Sequence, residues 1–394
     1  MQPPQIKLKK GKDTSLMRYH PWVFSGAIQN IPKNILDGDI VDIYSNDNQY
    51  LASGHYQSGA SIAVRIITFE HEEIGNSFWN HKIESAINYR TNLMLPNQNT
   101  NTYRLFHGEG DGIPGLIIDV YNDIFVVQCH SIGVHKSILF ISESLKKCFG
   151  ANLDSIYIRA KETLPTPYNI DIADTFTYGS KAETIVLEHG ISFKINVITG
   201  QKTGFFLDQR ENRAFIQQFS KDKSVLNLFC YTGGFSLYAL SAGANRVDSV
   251  DISQKAIDLL DENITINEFQ KNHTSHCANV MQYLQDDQVP QYDLVIADPP
   301  AFAKSLHKRH NAVQAYKRLN ILALKKVKKG GMLLTFSCSQ VVGSQLFYDT
   351  IVAAGIETKR KIRVIQSMSQ GGDHPINLFH PEGHYLKGLA LYIE

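Results

Sequence analysis

Four short stretches of this sequence place chemically capable residues at the ends of apolar runs. The first is Asn227-Leu228-Phe229-Cys230-Tyr231-Thr232-Gly233-Gly234-Phe235-Ser236, where an apolar run enters a Thr-Gly-Gly turn and then helical sequence. Glycine lets a ligand approach the main chain, and a following helix offers unsatisfied N–H donors. The pattern is not G-x-G-x-x-G, which argues against a pyrophosphate-bearing dinucleotide. The second is Asp251 in Val250-Asp251-Ile252-Ser253, an acid placed to accept two hydrogen bonds from ribose hydroxyls. The third is Asp298-Pro299-Pro300, where two prolines hold the chain extended and present a carboxylate and carbonyls to a flat base ring. The fourth is Thr335-Phe336-Ser337-Cys338-Ser339, which sets a thiol at the same edge. A thiolate that adds to C6 of cytosine makes C5 enamine-like and able to attack a sulfonium methyl, which requires a thiol of lowered pKa. A buried packing cysteine is the competing reading.

A fifth stretch, Gln201 to Arg213, gathers Lys202, Phe205, Asp208 and Arg210 where a helix opens before the first of these runs. Aromatic residues, an acid and arginines there suit the methionine end of a cofactor. Arg210 and Arg213 as ordinary helix-surface charges are the alternative.

The elements needed to position these groups are legible in the apolar pattern. Val225–Phe229, Arg246–Asp251, Tyr292–Ala297 and Met332–Ser337 are short apolar runs separated by helical stretches. That rhythm predicts an α/β fold with a doubly wound parallel sheet covered on both faces. Ligands of such sheets sit at the carboxyl ends of the strands. Ahead of it, Asp39–Tyr44 and Ser61–Ile67 alternate as strands of a small all-β module over residues 1–70. Residues 71–180 read as a small α/β unit, with helices over Trp79–Leu95 and Ile132–Phe149, two strands within Leu116–Gln128 and another over Ser155–Arg159.

A chain of 394 residues is too long for one ordinary core, and 43% hydrophobic against 20% charged residues is the balance of a globular protein rather than a disordered one. No apolar run is long enough to span a bilayer, and the lysine-rich start has no apolar segment behind it, so a cytoplasmic protein is expected. The five cysteines, none in a C-x-x-C pair, argue against a disulfide framework and against a zinc site. Net charge is only +1, but basic residues concentrate in Lys7 to Arg18 and in the stretch from Ala303 to Gly330, which holds nine Lys or Arg and no acid. Such patches suit a phosphate backbone.

With these elements in order, the sequence resembles the bacterial ribosomal RNA large-subunit methyltransferase I family over almost its whole length. His20-Pro21-Trp22-Val23-Phe24-Ser25-Gly26 and Gly38-Asp39-Ile40-Val41 look like that family's RNA-binding PUA module. Gly108-Glu109-Gly110-Asp111-Gly112-Ile113-Pro114-Gly115-Leu116 resembles the opening of its central domain. Thr203 to Arg213, Asp298-Pro299-Pro300 and Tyr385-Leu386-Lys387-Gly388 match its catalytic domain, a Rossmann-like class I methyltransferase over 181–394. The resemblance implies S-adenosylmethionine as cofactor and RNA, above all large-subunit ribosomal RNA, as partner, with no membrane association and with a homodimer left open. It implies that Cys338 is the nucleophile and that Asp298 binds the cytosine edge and borders the cofactor. Asp251 would hold the ribose and Asn279 and Val280 the adenine. Phe229, Tyr231, Thr232, Gly233, Ile252, Lys202, Phe205, Asp208 and Arg210 would complete the cofactor site. Many RNA cytosine-5 methyltransferases carry a second cysteine after the Asp-Pro, which helps product release; here Pro300 stands there. Two other readings stay open at this point: methylation of an exocyclic amine of guanine or adenine with no covalent step, and a non-catalytic RNA-binding assembly factor.

Overall fold

The computed structural model describes residues 3–394; Met1 and Gln2, the start of the first expected module, lie outside the described residues. The chain divides into two compact units. One comprises Met1–Val186, Ile195–Phe205 and Gly372–Gly383, the other Leu187–Lys194, Phe206–Gly371 and His384–Glu394.

The first unit holds two sheets. Strands β1 (Gln5–Leu8), β2 (Trp22–Phe24), β3 (Ile28–Asn30), β4 (Ile40–Tyr44), β5 (Tyr50–Tyr56) and β6 (Ile62–Thr68) form a sheet of order β2-β6-β5-β4-β1-β3, with a short helix α1 (Thr14–Met17). Ile6, Leu8, Val41, Ile43, Val64 and Ile66 fill its core. At Gly54 a Cβ would fall 2.3 Å from the carbonyl oxygen of Arg65, so only glycine lets β5 and β6 approach this closely. The second sheet is β7 (Thr102–His107), β8 (Leu116–Tyr121), β9 (Ile124–Cys129), β10 (Ser155–Arg159) and β11 (Thr175–Tyr178), in order β11-β10-β9-β8-β7. Helix α2 (Asn76–Asn92) packs Phe78, Trp79 and Ile83 onto its core. The single helix expected over Ile132–Phe149 is two, α3 (Ile132–Lys136) and α4 (Ile138–Phe149). Ser137 bonds back to the Gly133 carbonyl at 2.9 Å, and such back-bonding competes with the helical ladder.

In the second unit, strands β14 (Ser224–Leu228), β15 (Arg246–Asp251), β16 (His273–Cys277), β17 (Tyr292–Ala297), β18 (Val327–Ser337), β19 (Ile362–Met368) and β20 (Lys387–Ile393) make a seven-stranded sheet of order β16-β15-β14-β17-β18-β20-β19. A two-stranded hairpin, β12 (Glu183–Glu188) and β13 (Ile191–Asn196), precedes it in sequence, with only its Leu187–Lys194 portion in this unit. Helices α5 (Arg210–Ser220), α6 (Gly234–Ser241), α7 (Gln254–Ile266), α8 (Val280–Gln285), α9 (Arg309–Lys326) and α10 (Ser344–Thr358) connect the strands. The runs β14, β17 and β18 are almost wholly buried because both faces are covered, which is why they read as unbroken apolar sequence. Strands β14 to β18 are parallel, so Leu228, Asp251, Cys277, Ala297 and Ser337 end at one edge. The apolar rhythm predicts a parallel sheet, and the sheet departs from it at one side: β20 runs antiparallel to both β18 and β19. Apolar content marks a buried strand but carries no sign of its direction.

Candidate active site

The carboxyl edge of the second sheet is where the expected groups meet. After β14 the chain turns sharply through Phe229 (φ 57°), Tyr231 (φ 48°) and Gly233 (φ 84°) before α6 begins at Gly234. Left-handed backbone at two non-glycine residues costs energy and is held only where surrounding contacts demand it. The demand is visible. The amide of Tyr231 donates to Asp251 Oδ2 at 3.0 Å, and the amide of Cys230 to the Val250 carbonyl at 3.1 Å. A Cβ at Gly233 would lie 2.0 Å from Leu260 Cδ1, so the turn closes onto α7 only with glycine. Beneath it runs a buried polar relay: Asn227 Nδ2 donates to Ser236 Oγ (2.8 Å), which pairs with Ser249 Oγ (2.7 Å), which pairs with His273 Nε2 (2.8 Å). It ties β14, α6, β15 and β16 together under the loop, and burial pushes His273 down to about 4.

Asp251 closes β15 half-buried. Its Oδ1 accepts the Ser253 amide at 2.9 Å and its Oδ2 the Tyr231 amide, so each oxygen keeps a lone pair for a further donor. Ile252 beside it is 69% exposed. Past β16, exposed Asn279 caps α8 by accepting from the amides of Met281 and Gln282, while Val280 is buried. Asp208 is buried and accepts the Tyr385 hydroxyl at 2.7 Å. Arg210, also buried, donates to Glu211 Oε1 at 3.1 Å. Tyr231 packs edge-on against Phe206 with ring centroids 5.2 Å apart.

Asp298 and Cys338, both half-buried, follow β17 and β18. Fully buried Tyr316 of α9 faces Ser337, Cys338 and Asp298; burial and the two acidic neighbours push its hydroxyl up to about 12. Ser339 Oγ donates to the Ala303 carbonyl at 2.7 Å, fastening the loop after the two prolines to the cysteine turn. Directly across the sheet from Ser337 stands Lys387, the first residue of β20. It is 5% exposed, and its Nζ donates to the carbonyls of Ser339 and Tyr385, both at 2.7 Å. Burial pulls Lys387 down to about 8, with the Cys338 thiol acting in the opposite direction. Among the other cysteines, burial raises Cys129 to about 12 and holds Cys230 well above the usual thiol range, so both are poor nucleophiles.

Not every expected residue lies in this unit. Lys202 and Phe205 belong to the first unit, where exposed Lys202 gives its carbonyl to Arg159 and buried Phe205 gives its amide to Tyr121 Oη at 3.2 Å. Arg213 is neither a surface charge nor an open ligand: it forks onto both oxygens of Glu188 at 2.7 Å, and both residues are buried. Lys387 and Tyr316 have no assigned role in the motif reading. Lys387 stands in the tail Tyr385-Leu386-Lys387-Gly388, whose likeness to the family carried no role for the lysine itself, and in the structure it heads the buried run Lys387–Ile393. Among the described residues, one group could gather around a metal ion: His20, His380 and Glu382 of the first unit. His20 Nδ1 accepts the Trp22 amide at 3.2 Å, which leaves the ring proton on Nε2, the nitrogen facing Glu382. That nitrogen is then a donor rather than a ligand.

Comparison with known proteins settles the family. A model of S-adenosylmethionine-dependent methyltransferases matches residues 103–360, and a model of PUA-like domains matches residues 6–69. Curated relatives named ribosomal RNA large subunit methyltransferase I, from Alteromonas mediterranea and Vibrio parahaemolyticus, are each 37% identical, with 98% of this chain and 98% of the relative covered. The chain belongs to the ribosomal RNA large subunit methyltransferase I family. The solved structure of a putative SAM-dependent methyltransferase from Streptococcus mutans shares the fold over 99% of this chain and 100% of its own, with a TM-score of 0.84 at 22% identity.

The family's cofactor is S-adenosylmethionine, and the residues of the carboxyl edge fit it. The two open lone pairs of Asp251 suit a ribose diol, exposed Ile252 offers an apolar face to a base, and buried Thr232 Oγ1 is without a hydrogen-bond partner beside the glycine turn. At Gly234 a Cβ would come within 2.9 Å of Arg213 Cδ, so the first turn of α6 also needs a bare backbone.

Proposed function

We propose that this member of the family methylates C5 of a cytosine in large-subunit ribosomal RNA through a covalent adduct at Cys338. The supporting observation is the setting of that thiol: half-buried at the carboxyl edge, one residue past β18, with Asp298, Tyr316 and Lys387 around it. The names of the curated relatives support the RNA class. In this reading the Cys338 thiolate adds to C6, and the electron pair of the C5–C6 bond moves to C5. The cofactor supplies an electrophilic methyl group when bound. Loss of the C5 proton then expels the Cys338 thiolate and restores the ring. Asp298 accepts from the cytosine amine edge. Asp251 holds the cofactor ribose, with Phe229, Tyr231, Thr232 and Gly233 shaping the turn, Ile252, Asn279 and Val280 around the adenine, and Asp208 and Arg210 toward the methionine end. A flipped or unpaired base is required to reach a thiol at this depth. Lys304, Lys308 and Arg309, exposed beyond Pro300, suit the flanking phosphates, and the PUA-like module would position the RNA further.

The Asp-Pro-Pro loop also favours a second reading, methylation of an exocyclic amine, in which Asp298 accepts from the amine and no adduct forms. One substitution separates the two. Cys338→Ala should lower transfer to ribosomal RNA by at least about a thousandfold while cofactor binding stays near normal, as expected for loss of a nucleophile. Transfer that survives in the alanine variant, with a methylated amine found by nucleoside mass spectrometry, would establish the second reading instead.

A further inference from the structure

Lys387 is a buried ammonium whose partners are two neutral carbonyls, and among the described residues no carboxylate lies within ion-pair distance of it. A buried cation is normally matched by an acid, because an unmatched charge is expensive to desolvate. The β18–β20 register sets its Cα opposite Ser337, and its side chain runs on to the Ser339 carbonyl, so the ammonium spans the three-residue turn that carries Cys338. Gly388 follows at a point where a Cβ would strike Phe336 Cδ1 at 2.4 Å, so β20 lies tight against β18 and the lysine has little freedom to move. The titratable groups that face this turn include Cys338 itself, Tyr316 from α9, Asp298 after β17 and Lys387 from β20. Tyr316 stays neutral, and Asp298 opposes ionisation of the thiol. Lys387 is a group of opposite sign beside the thiol.

We propose that Lys387 is a positioning residue that holds Cys338 as a thiolate, the ammonium fixed across the Ser337–Ser339 turn supplying the countercharge. This role rests on the reading of Cys338 as nucleophile. The same field works both ways: the thiolate raises the affinity of Lys387 for its proton, so the two ionise as a pair.

Alkylation of the full-length protein by iodoacetamide, followed at the Cys338 peptide by mass spectrometry from about pH 6 to about pH 10, reads the thiolate directly. The Cys338 rate should be half-maximal clearly below the ordinary thiol value of about 8.5. Lys387→Met should raise that midpoint by at least about one unit and slow alkylation at neutral pH about tenfold. Lys387→Arg should keep the low midpoint. The acidic limb of kcat/KM against pH should move up with the methionine variant and stay with the arginine variant, a shift that simple loosening of the sheet would not produce. A wild-type midpoint at the ordinary thiol value would overturn the role without any variant having to fold. A folded methionine variant with an unmoved midpoint would overturn it as well. Because alkylation does not depend on methyl transfer, an active Cys338→Ala enzyme would remove the nucleophile reading while leaving the Lys387 coupling to be judged on its own.

Discussion

Arg90 and Lys387 are both buried cations, one in each compact unit, and they are satisfied differently. Arg90 is fully buried under the second sheet of the first unit. Its Nε donates to the Arg104 carbonyl, its Nη1 and Nη2 fork onto the two oxygens of Asp111, and Nη2 also reaches the Asp373 carbonyl at 2.7 Å. Every branch of the guanidinium is used and its charge is cancelled by one carboxylate. Nearby, Arg104 repeats the fork on Asp119. Lys387 instead meets only neutral acceptors and keeps its charge within reach of a thiol. A buried cation matched by an acid fastens strands together; a buried cation matched by carbonyls leaves a field that a neighbouring group can use.

The comparison can be broken in order of expected effect. Arg90→Met leaves Asp111 buried without its partner and should cost about 3–5 kcal/mol in urea unfolding. The pH profile of the remaining folded enzyme should be unmoved; a shifted profile would mean that Arg90 also serves the chemistry. Asp251→Ala should weaken S-adenosylmethionine binding about ten- to a hundredfold by calorimetry, the loss of charge-assisted hydrogen bonds to a diol. An unaltered affinity would take Asp251 out of the ribose site. Acid should distinguish the units more gently. His55 of the first unit and His273 of the second are each pushed down to about 4, and His107 of the first unit is held well below its usual value, in each case chiefly by burial. A histidine depressed in the folded state gives stability that is present above the unfolded value of about 6.5 and is lost as pH falls toward 4. Hydrogen exchange at about pH 5 should therefore loosen the first unit, with two such groups, before the second. The smallest effect belongs to the exposed lysines at the end of α9 and the start of β18. Lys325→Gln and Lys329→Gln should each reduce the salt slope of RNA binding by about one or less while leaving cofactor affinity alone.

What the sequence made legible follows from what burial does to a pattern. β14, β15, β17 and β18 stood out because both their faces are covered. Asp251 and Asp298 stood out because an acid ending such a run has few other uses. Strand direction left no trace, so the antiparallel β20 went unread, and with it the meeting of Lys387 with Ser337. Arg213 carried no local sign of its partner, since Glu188 lies on a hairpin strand before the helix and the pairing is made only by folding. Lys202 and Phe205 were grouped with Asp208 and Arg210 by proximity in sequence. One of the points at which the chain passes from one compact unit to the other falls between Phe205 and Phe206, and nothing in the composition there announces it.

The insertion of β20 between β18 and β19 means that the sheet closes on a strand later in sequence than the one at its edge. β19 precedes β20 in sequence yet lies outside it, and its partner in the sheet is β20, so until β20 is in place β18 has an open edge and β19 has no strand to pair with. Exposed edges of this kind invite pairing with other chains. The sheet is sealed, and the cysteine turn gains its lysine, in the same step, when Lys387–Ile393 slide into the gap. A chain lacking Lys387–Ile393 would leave β18 and β19 without their shared partner strand and the cysteine turn without Lys387.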